Sequence, residues 1–172
     1  MVRRRVRKRL TDTTMTCNRI SFDVPTPLWQ AISYLVHSNV FISLAATSVA
    51  VSTMILAGLS VDFIPLFIVF SVTLFVYSFN RLADYTEDLQ NVPERASFVS
   101  RYGMALFALG TLLYLVATGL ALAEGIPGAP AMLIPLAVAV LYSVVGLKRI
   151  LFVKNLVVGL SWGLIPLGVG VY

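Results

Sequence analysis

The chain has 172 residues, of which 58% are hydrophobic and only 12% are charged, and its mean hydropathy is +0.88. A soluble domain carries about 25% charged residues, so this composition excludes an ordinary soluble protein and indicates an integral membrane protein. One cysteine and one histidine exclude an internal disulfide, a thiolate metal cluster and a histidine-rich metal site.

Residues 1–24 form a polar, strongly basic leader that precedes the first apolar run. We expect this leader to be disordered and to lie in the cytoplasm against anionic lipid headgroups. The cations of the chain cluster beside apolar runs, and this arrangement favours a membrane protein over a nucleic-acid-binding one. No nucleic-acid partner is therefore predicted.

Five apolar runs within residues 25–172 predict an all-α, polytopic transmembrane helix bundle with five spans. A short interfacial helix over residues 28–36, with Trp29 and Tyr34 at the membrane surface, is expected before the first span. The predicted spans cover residues 40–59, 63–79, 104–122, 129–145 and 156–172. At the start of the first span, His37, Ser38 and Asn39 favour local hydrogen bonding over contact with a ligand headgroup.

The residues that follow the second apolar run carry the strongest functional signal. Asn80, Asp84 and Asp88 are spaced four residues apart, and this spacing stacks side chains on one face of a helix that we expect to continue through Asp88. Val92 is the expected end of that helix because Pro93 follows it.

Acidic residues at a membrane are costly and usually functional, and Mg²⁺ takes one or two carboxylates together with phosphate oxygens. The column formed by Asn80, Asp84 and Asp88 therefore predicts a magnesium–diphosphate site. The alternative is ordinary solvation of a helix end, with Glu87 and Arg81 or Arg95 as surface charge.

The distribution of basic residues predicts the orientation of the chain. All 13 Lys and Arg fall in the leader and in two connections, which contain Arg81, Arg95 and Arg101 in one and Lys148, Arg149 and Lys154 in the other. The positive-inside rule then places the N-terminus and both connections in the cytoplasm, with the protein in the cell membrane. The acidic column and the Lys148–Arg149 pair are thus expected on one face.

Two motifs carry a resemblance to a known family. Asn80, Asp84 and Asp88 match the Asn-x-x-x-Asp-x-x-x-Asp motif after the second helix of the UbiA-type intramembrane prenyltransferases. Tyr142 and Ser143, Leu147 to Arg149, and Asn155 match a later Tyr-Ser, Leu-Lys-Arg, Asn pattern of that family. The chain resembles an archaeal-like member, from about residue 28 onward.

The resemblance implies a transferase of isoprenoid, lipid or quinone biosynthesis with a fold of about nine helices. It implies Mg²⁺ as cofactor, a polyprenyl diphosphate as donor, and an aromatic or lipid acceptor within the membrane. Asn80, Asp84 and Asp88 would serve the metal. Lys148 and Tyr142 would contact the diphosphate. Arg149 and Asn155 match the pattern and are further candidates for substrate binding, as is Arg95, whose spacing after Asp88 does not follow the family closely.

The chain departs from the family at two points. Arg81 stands where many relatives have Asp, and it is expected either to contact phosphate or to screen the acidic column. The family's second aspartate-rich motif lies beyond the fifth helix, so the chain is expected to be an N-terminal portion with little activity alone.

Two alternatives to the prenyltransferase remain. One is a non-catalytic protein that binds prenyl diphosphate, or a half-enzyme subunit that pairs with a separate C-terminal half. The other is a small transporter with an acidic mouth, which would use the polar streak of Ser and Thr residues in the first span, namely Ser43, Thr47, Ser48, Ser52 and Thr53.

Overall fold

The computed structural model describes residues 26–125, 132–143 and 151–171 of the chain, and within them it contains seven helices and no strand. The predicted all-α class is confirmed. The helices are α1 (Thr26–His37), α2 (Val40–Leu56), α3 (Phe63–Ala83), α4 (Tyr85–Asn91), α5 (Pro93–Ala123), α6 (Leu133–Ser143) and α7 (Leu151–Val171).

The ends of α3 and α5 follow from local sequence chemistry. Asp62 caps α3, because its Oδ1 accepts a hydrogen bond from the backbone N–H of Ile64 at 3.2 Å. Pro93 opens α5 at a position where its missing N–H costs nothing. Gly125 follows the end of α5 with a φ of +66°, a left-handed conformation that glycine adopts without strain.

The first two helices meet at a sharp bend of 66°. Asn39 produces this bend with a left-handed backbone (φ 64°, ψ 2°), which Asn tolerates better than most residues. The local hydrogen bonding predicted here is confirmed for His37 and Ser38, since Ser33 Oγ and His37 Nδ1 lie 3.1 Å apart and Ser38 Oγ donates to the Leu35 carbonyl. For Asn39 it is wrong, because its side-chain amide donates to Ser78 Oγ of α3 at 3.5 Å. A separate helix therefore precedes α2, as the sequence predicts.

The core of the bundle lies between α3 and α5. Gly110 of α5 approaches the α3 backbone so closely that a Cβ there would be 3.1 Å from Phe75 Cα. The Phe75 and Tyr114 rings stack with centroids 4.8 Å apart, and both residues are buried with Met132. The Tyr114 hydroxyl donates a hydrogen bond to the Met132 carbonyl, and this bond ties the start of α6 to α5.

Only part of the predicted membrane topology is supported. By length and composition, α3 and α5 could each cross a membrane, and α1 with α2 could form a third, bent span. The apolar parts of α6 and α7 (Leu133–Tyr142 and Asn155–Gly170) are shorter. Two or three candidate spans are thus found in the part of the chain that the structure describes, and five spans stay a prediction.

The remaining helices pack around α2 and α3. Helix α7 packs on α2, where Val169 is buried with Ala50 and Met54 and is joined by Leu66 and Val69 of α3. Helix α6 packs on α3. These two packings leave a space between α3, α6 and α7.

Candidate functional site

The predicted continuous helix through Asp88 is wrong, because the structure breaks it at Asp84. Helix α3 ends at Ala83, Asp84 has φ −92° and ψ 3°, and the seven-residue α4 follows. Aspartate competes with helical backbone bonding and favours such junctions. The expected end before Pro93 is confirmed, since α4 ends at Asn91 and Val92 caps it.

Helical backbone hydrogen bonds nevertheless cross this break. The Asp84 N–H donates to the Asn80 carbonyl and the Asp88 N–H donates to the Asp84 carbonyl, each at 2.9 Å. Asn80, Asp84 and Asp88 therefore still lie on successive turns of the backbone. Their side chains have different surroundings, because Asn80 lines a cavity beside α3 whereas Asp88 is buried against α5.

Asp88 forms a bidentate ion pair with Arg95. The Arg95 Nε donates to Asp88 Oδ2 at 2.7 Å, and Arg95 Nη2 donates to the other carboxylate oxygen. The Asp88 side chain is only 5% exposed and that of Arg95 is 24% exposed. This fork-to-fork geometry is the strong form of an arginine–carboxylate contact, and it joins α4 to α5.

Arg81 lies among the charges of the same corner. It is partly buried on the last turn of α3, within electrostatic reach of Asp84, Asp88 and Arg95. Such a position suits the screening role expected from the sequence, because one cation beside two carboxylates reduces their mutual repulsion. Contact between Arg81 and phosphate stays the alternative prediction.

The space between α3, α6 and α7 is a cavity of about 510 Å³. Its wall on α3 uses every third or fourth residue from Pro65 to Asn80, a length of about 22 Å at the rise of an α-helix. The volume falls within the usual range of about 300–1,000 Å³ for small-molecule sites. Its lining is apolar apart from Thr73, Tyr77, Asn80, Tyr142, Ser161 and Trp162.

Two of the predicted site residues meet at this cavity. Asn80 contributes from the end of α3 and Tyr142 from the last turn of α6. The polar groups expected beside a diphosphate thus border an apolar volume of the kind that a hydrocarbon chain occupies. A hydrogen bond from Trp162 Nε1 to Tyr77 Oη, 3.3 Å long, joins α7 to α3 within the same lining.

The donor groups around Asp84 fit Mg²⁺ in part. Asn80 and Asp84 supply a neutral and an anionic oxygen on adjacent turns, and Mg²⁺ is commonly held by one or two carboxylates plus substrate phosphates. Both oxygens of Asp88 already accept hydrogen bonds from Arg95, so Asp88 is available to a metal only if that pair opens. Among the described residues, no group of three or more acidic, His or Cys side chains could hold a metal.

One residue of the second predicted motif, Asn155, is not brought to the cavity. Asn155 is exposed on the first half of α7 and is not part of the lining. Lys148, Arg149 and the leader lie outside the described residues. Of the second motif, the structure therefore places Tyr142 at the cavity beside α3 and Asn155 away from it, and the basic pair is not among the described residues.

The polar streak of α2 has a local explanation. Each of its hydroxyls donates to a carbonyl of its own helix or of the preceding bend at 2.8–2.9 Å, namely those of Ser43, Thr47, Ser48, Ser52 and Thr53. Ser and Thr use such bonds within helices when no other partner is offered. These side chains give no support to a polar path for a transported solute.

Sequence reasoning missed Tyr77 and Trp162 as residues of the cavity. The α3 stripe that lines the cavity is visible in the sequence, since its members recur at helical spacing from Pro65 to Asn80. An apolar stripe, however, is ordinarily a packing surface, and only the arrangement of α6 and α7 makes this one a cavity wall.

Comparison of the chain with protein-family models, with curated proteins and with solved structures finds no match.

Proposed function

We propose that the chain binds a polyprenyl diphosphate and serves in the Mg²⁺-dependent transfer of its prenyl group to an aromatic or lipid acceptor within the cell membrane. The observation that supports this proposal is the apolar cavity whose α3 wall ends at Asn80, the first residue of the acidic series. The apolar lining suits a hydrocarbon tail. The polar residues that follow the α3 wall in the sequence suit a charged headgroup.

In this proposal different residues bind different parts of the substrate. The cavity would hold the prenyl chain and exclude water, and Tyr142 would contact the diphosphate. Asn80 and Asp84 would hold Mg²⁺, which when bound would neutralise charge on the diphosphate. The allylic C–O bond breaks and the diphosphate leaves with the electron pair. The acceptor then forms the new bond to that carbon and loses a proton.

A second candidate is a protein that binds the prenyl diphosphate without transferring it, or that supplies one half of an enzyme. The Asp88–Arg95 pair favours this candidate, because both carboxylate oxygens of Asp88 are occupied. The two candidates share the same ligand and the same cavity, and they differ in turnover.

The test is to incubate the purified chain, in lipid vesicles with Mg²⁺, with radiolabelled geranylgeranyl diphosphate and membrane lipid extract. Binding that requires Mg²⁺ and falls about tenfold or more in Asp84→Asn is the expected result. A matched control is Asp62→Asn, which changes an acid at the opposite end of α3. Formation of labelled prenyl product would identify the chain as the enzyme. Binding without product would support the second candidate, and absence of binding would refute both.

A further inference from the structure

Two aromatic side chains of the cavity lining connect α3 to α7. Tyr77 belongs to α3 and Trp162 to α7, both line the cavity, and the indole N–H donates to the phenolic oxygen at 3.3 Å. Both side chains are partly buried.

The pair lies near the end of the cavity that contains Asn80. Tyr77 precedes Asn80 by three residues, which is about 4.5 Å along a helix. Toward the other end the lining includes Ile165 and Val169 of α7, and Val169 belongs to a buried cluster against which Ile165, Leu66 and Val69 pack. The cavity therefore has a short part with polar neighbours on one side of the pair and a longer apolar part on the other.

We propose that the Tyr77–Trp162 pair is a constriction that discriminates prenyl diphosphates by chain length. This inference rests on the proposed function, because it takes the cavity as the site of the prenyl chain. When the diphosphate lies beside Asn80 and Asp84, the prenyl chain that extends from it along the α3 wall must run past the Tyr77–Trp162 pair. A longer chain then has to displace the indole and break its hydrogen bond.

The physical consequence is a cost that only long chains incur. Each isoprene unit placed beyond the pair gains free energy from leaving water, but displacement of Trp162 offsets part of that gain. Removing the indole abolishes this displacement cost for long prenyl chains and leaves the affinity for short prenyl chains unchanged. Tyr77→Phe keeps the ring in place and removes only the hydrogen-bond acceptor, so it should produce a smaller change in the same direction.

The experiment measures the affinity of the full chain in lipid nanodiscs for dimethylallyl and geranylgeranyl diphosphate, and for the two corresponding alcohols. In Trp162→Ala we expect the preference for the longer ligand to rise about tenfold over that of the unaltered chain. In Tyr77→Phe we expect a rise of about threefold. Trp29→Ala is the matched control, because Trp29 is 62% exposed on α1 and does not line the cavity.

The outcomes separate this inference from the proposed function. Equal changes for both lengths in Trp162→Ala, with an unaltered elution profile and helix content, would overturn the inference while diphosphate binding stands. Alcohols that bind with the expected length effect, without binding of either diphosphate, would support the constriction and refute the diphosphate site. Failure of the unaltered chain to bind any of the four ligands would refute both.

Discussion

Asp88 illustrates how the environment of a single residue changes its expected role. A carboxylate that is 5% exposed is costly unless its charge is compensated, and Arg95 compensates it through two hydrogen bonds. The pair therefore has a structural function at the junction of α4 and α5, whatever Asp88 contributes to a metal. Asp84, at the helix break, is the acid on which the magnesium proposal depends most.

Arg95→Gln should destabilise the chain because it leaves the Asp88 carboxylate buried without its partner. Removal of one member of a buried pair costs about 3–5 kcal/mol, and the partial exposure of Arg95 favours the lower end, about 3 kcal/mol. Thermal unfolding in detergent, followed by circular dichroism, measures this effect. Glu94→Gln, at an exposed position of the same helical turn, should change little.

The double variant Asp88→Asn, Arg95→Gln provides a further check on this pair. It should be more stable than Arg95→Gln alone, since an uncharged amide replaces the unpaired carboxylate. Equal stability of the two variants would contradict the structural role assigned to the pair.

At the scale of elements, α3 and α5 make a close backbone contact. Gly110 permits it, because a Cβ at this position would lie 3.1 Å from Phe75 Cα and 3.3 Å from Phe75 N. Small residues at such crossings are the usual device for bringing membrane helices together. The glycine pair of α7 differs, since an added Cβ at Gly159 or Gly163 would meet nothing within 4 Å in the described structure.

Gly110→Ala should therefore push α3 and α5 apart and lower stability by about 1–3 kcal/mol, because the backbone of α3 cannot yield as a flexible side chain would. Gly119→Ala is the matched control, being the same substitution in the same helix where an added Cβ meets nothing within 4 Å. Thermal unfolding of the two variants side by side measures the difference. Equal melting temperatures would contradict the close contact.

At the scale of the whole molecule, the helices are arranged so that α6 and α7 enclose the cavity without filling it. Helix α7 packs mainly on α2, whereas helix α6 packs on α3. Because they pack on different helices, α6 and α7 leave a space between each other. The apolar surface of α5, which includes Met104 and Leu112 at 69% and 59% exposure, faces away from this core. Such a surface is consistent with contact with lipid.

The orientation proposed from the basic residues can be tested with the single cysteine. A membrane-impermeant maleimide should label Cys17 only after cells are permeabilised, because the leader is expected in the cytoplasm. In a Cys17→Ser background, Val61→Cys introduces a thiol at an exposed position between α2 and α3, and it should be labelled in intact cells. Labelling of Cys17 in intact cells would contradict the proposed orientation.

Hydrophobicity, charge and turn chemistry were sufficient to predict much of the local structure. Runs of apolar residues predicted the helices of the described residues that are long and apolar enough to span a membrane. Asp62, Pro93 and Gly125 mark helix ends for reasons confined to their immediate neighbours. The four-residue spacing of Asn80, Asp84 and Asp88 was likewise a local property, and backbone hydrogen bonds maintain it. These features depend on interactions within one or two helical turns.

The sequence by itself determined the all-α class, the apolar helices and the positions of the acidic residues. Only the tertiary structure decided that Arg95 binds both carboxylate oxygens of Asp88, and that Tyr77 and Trp162 line one cavity. The physical reason is that helix formation responds to neighbours a few residues away. The surroundings of a side chain instead depend on which helices pack together, and Tyr77 and Trp162 are separated by 85 residues.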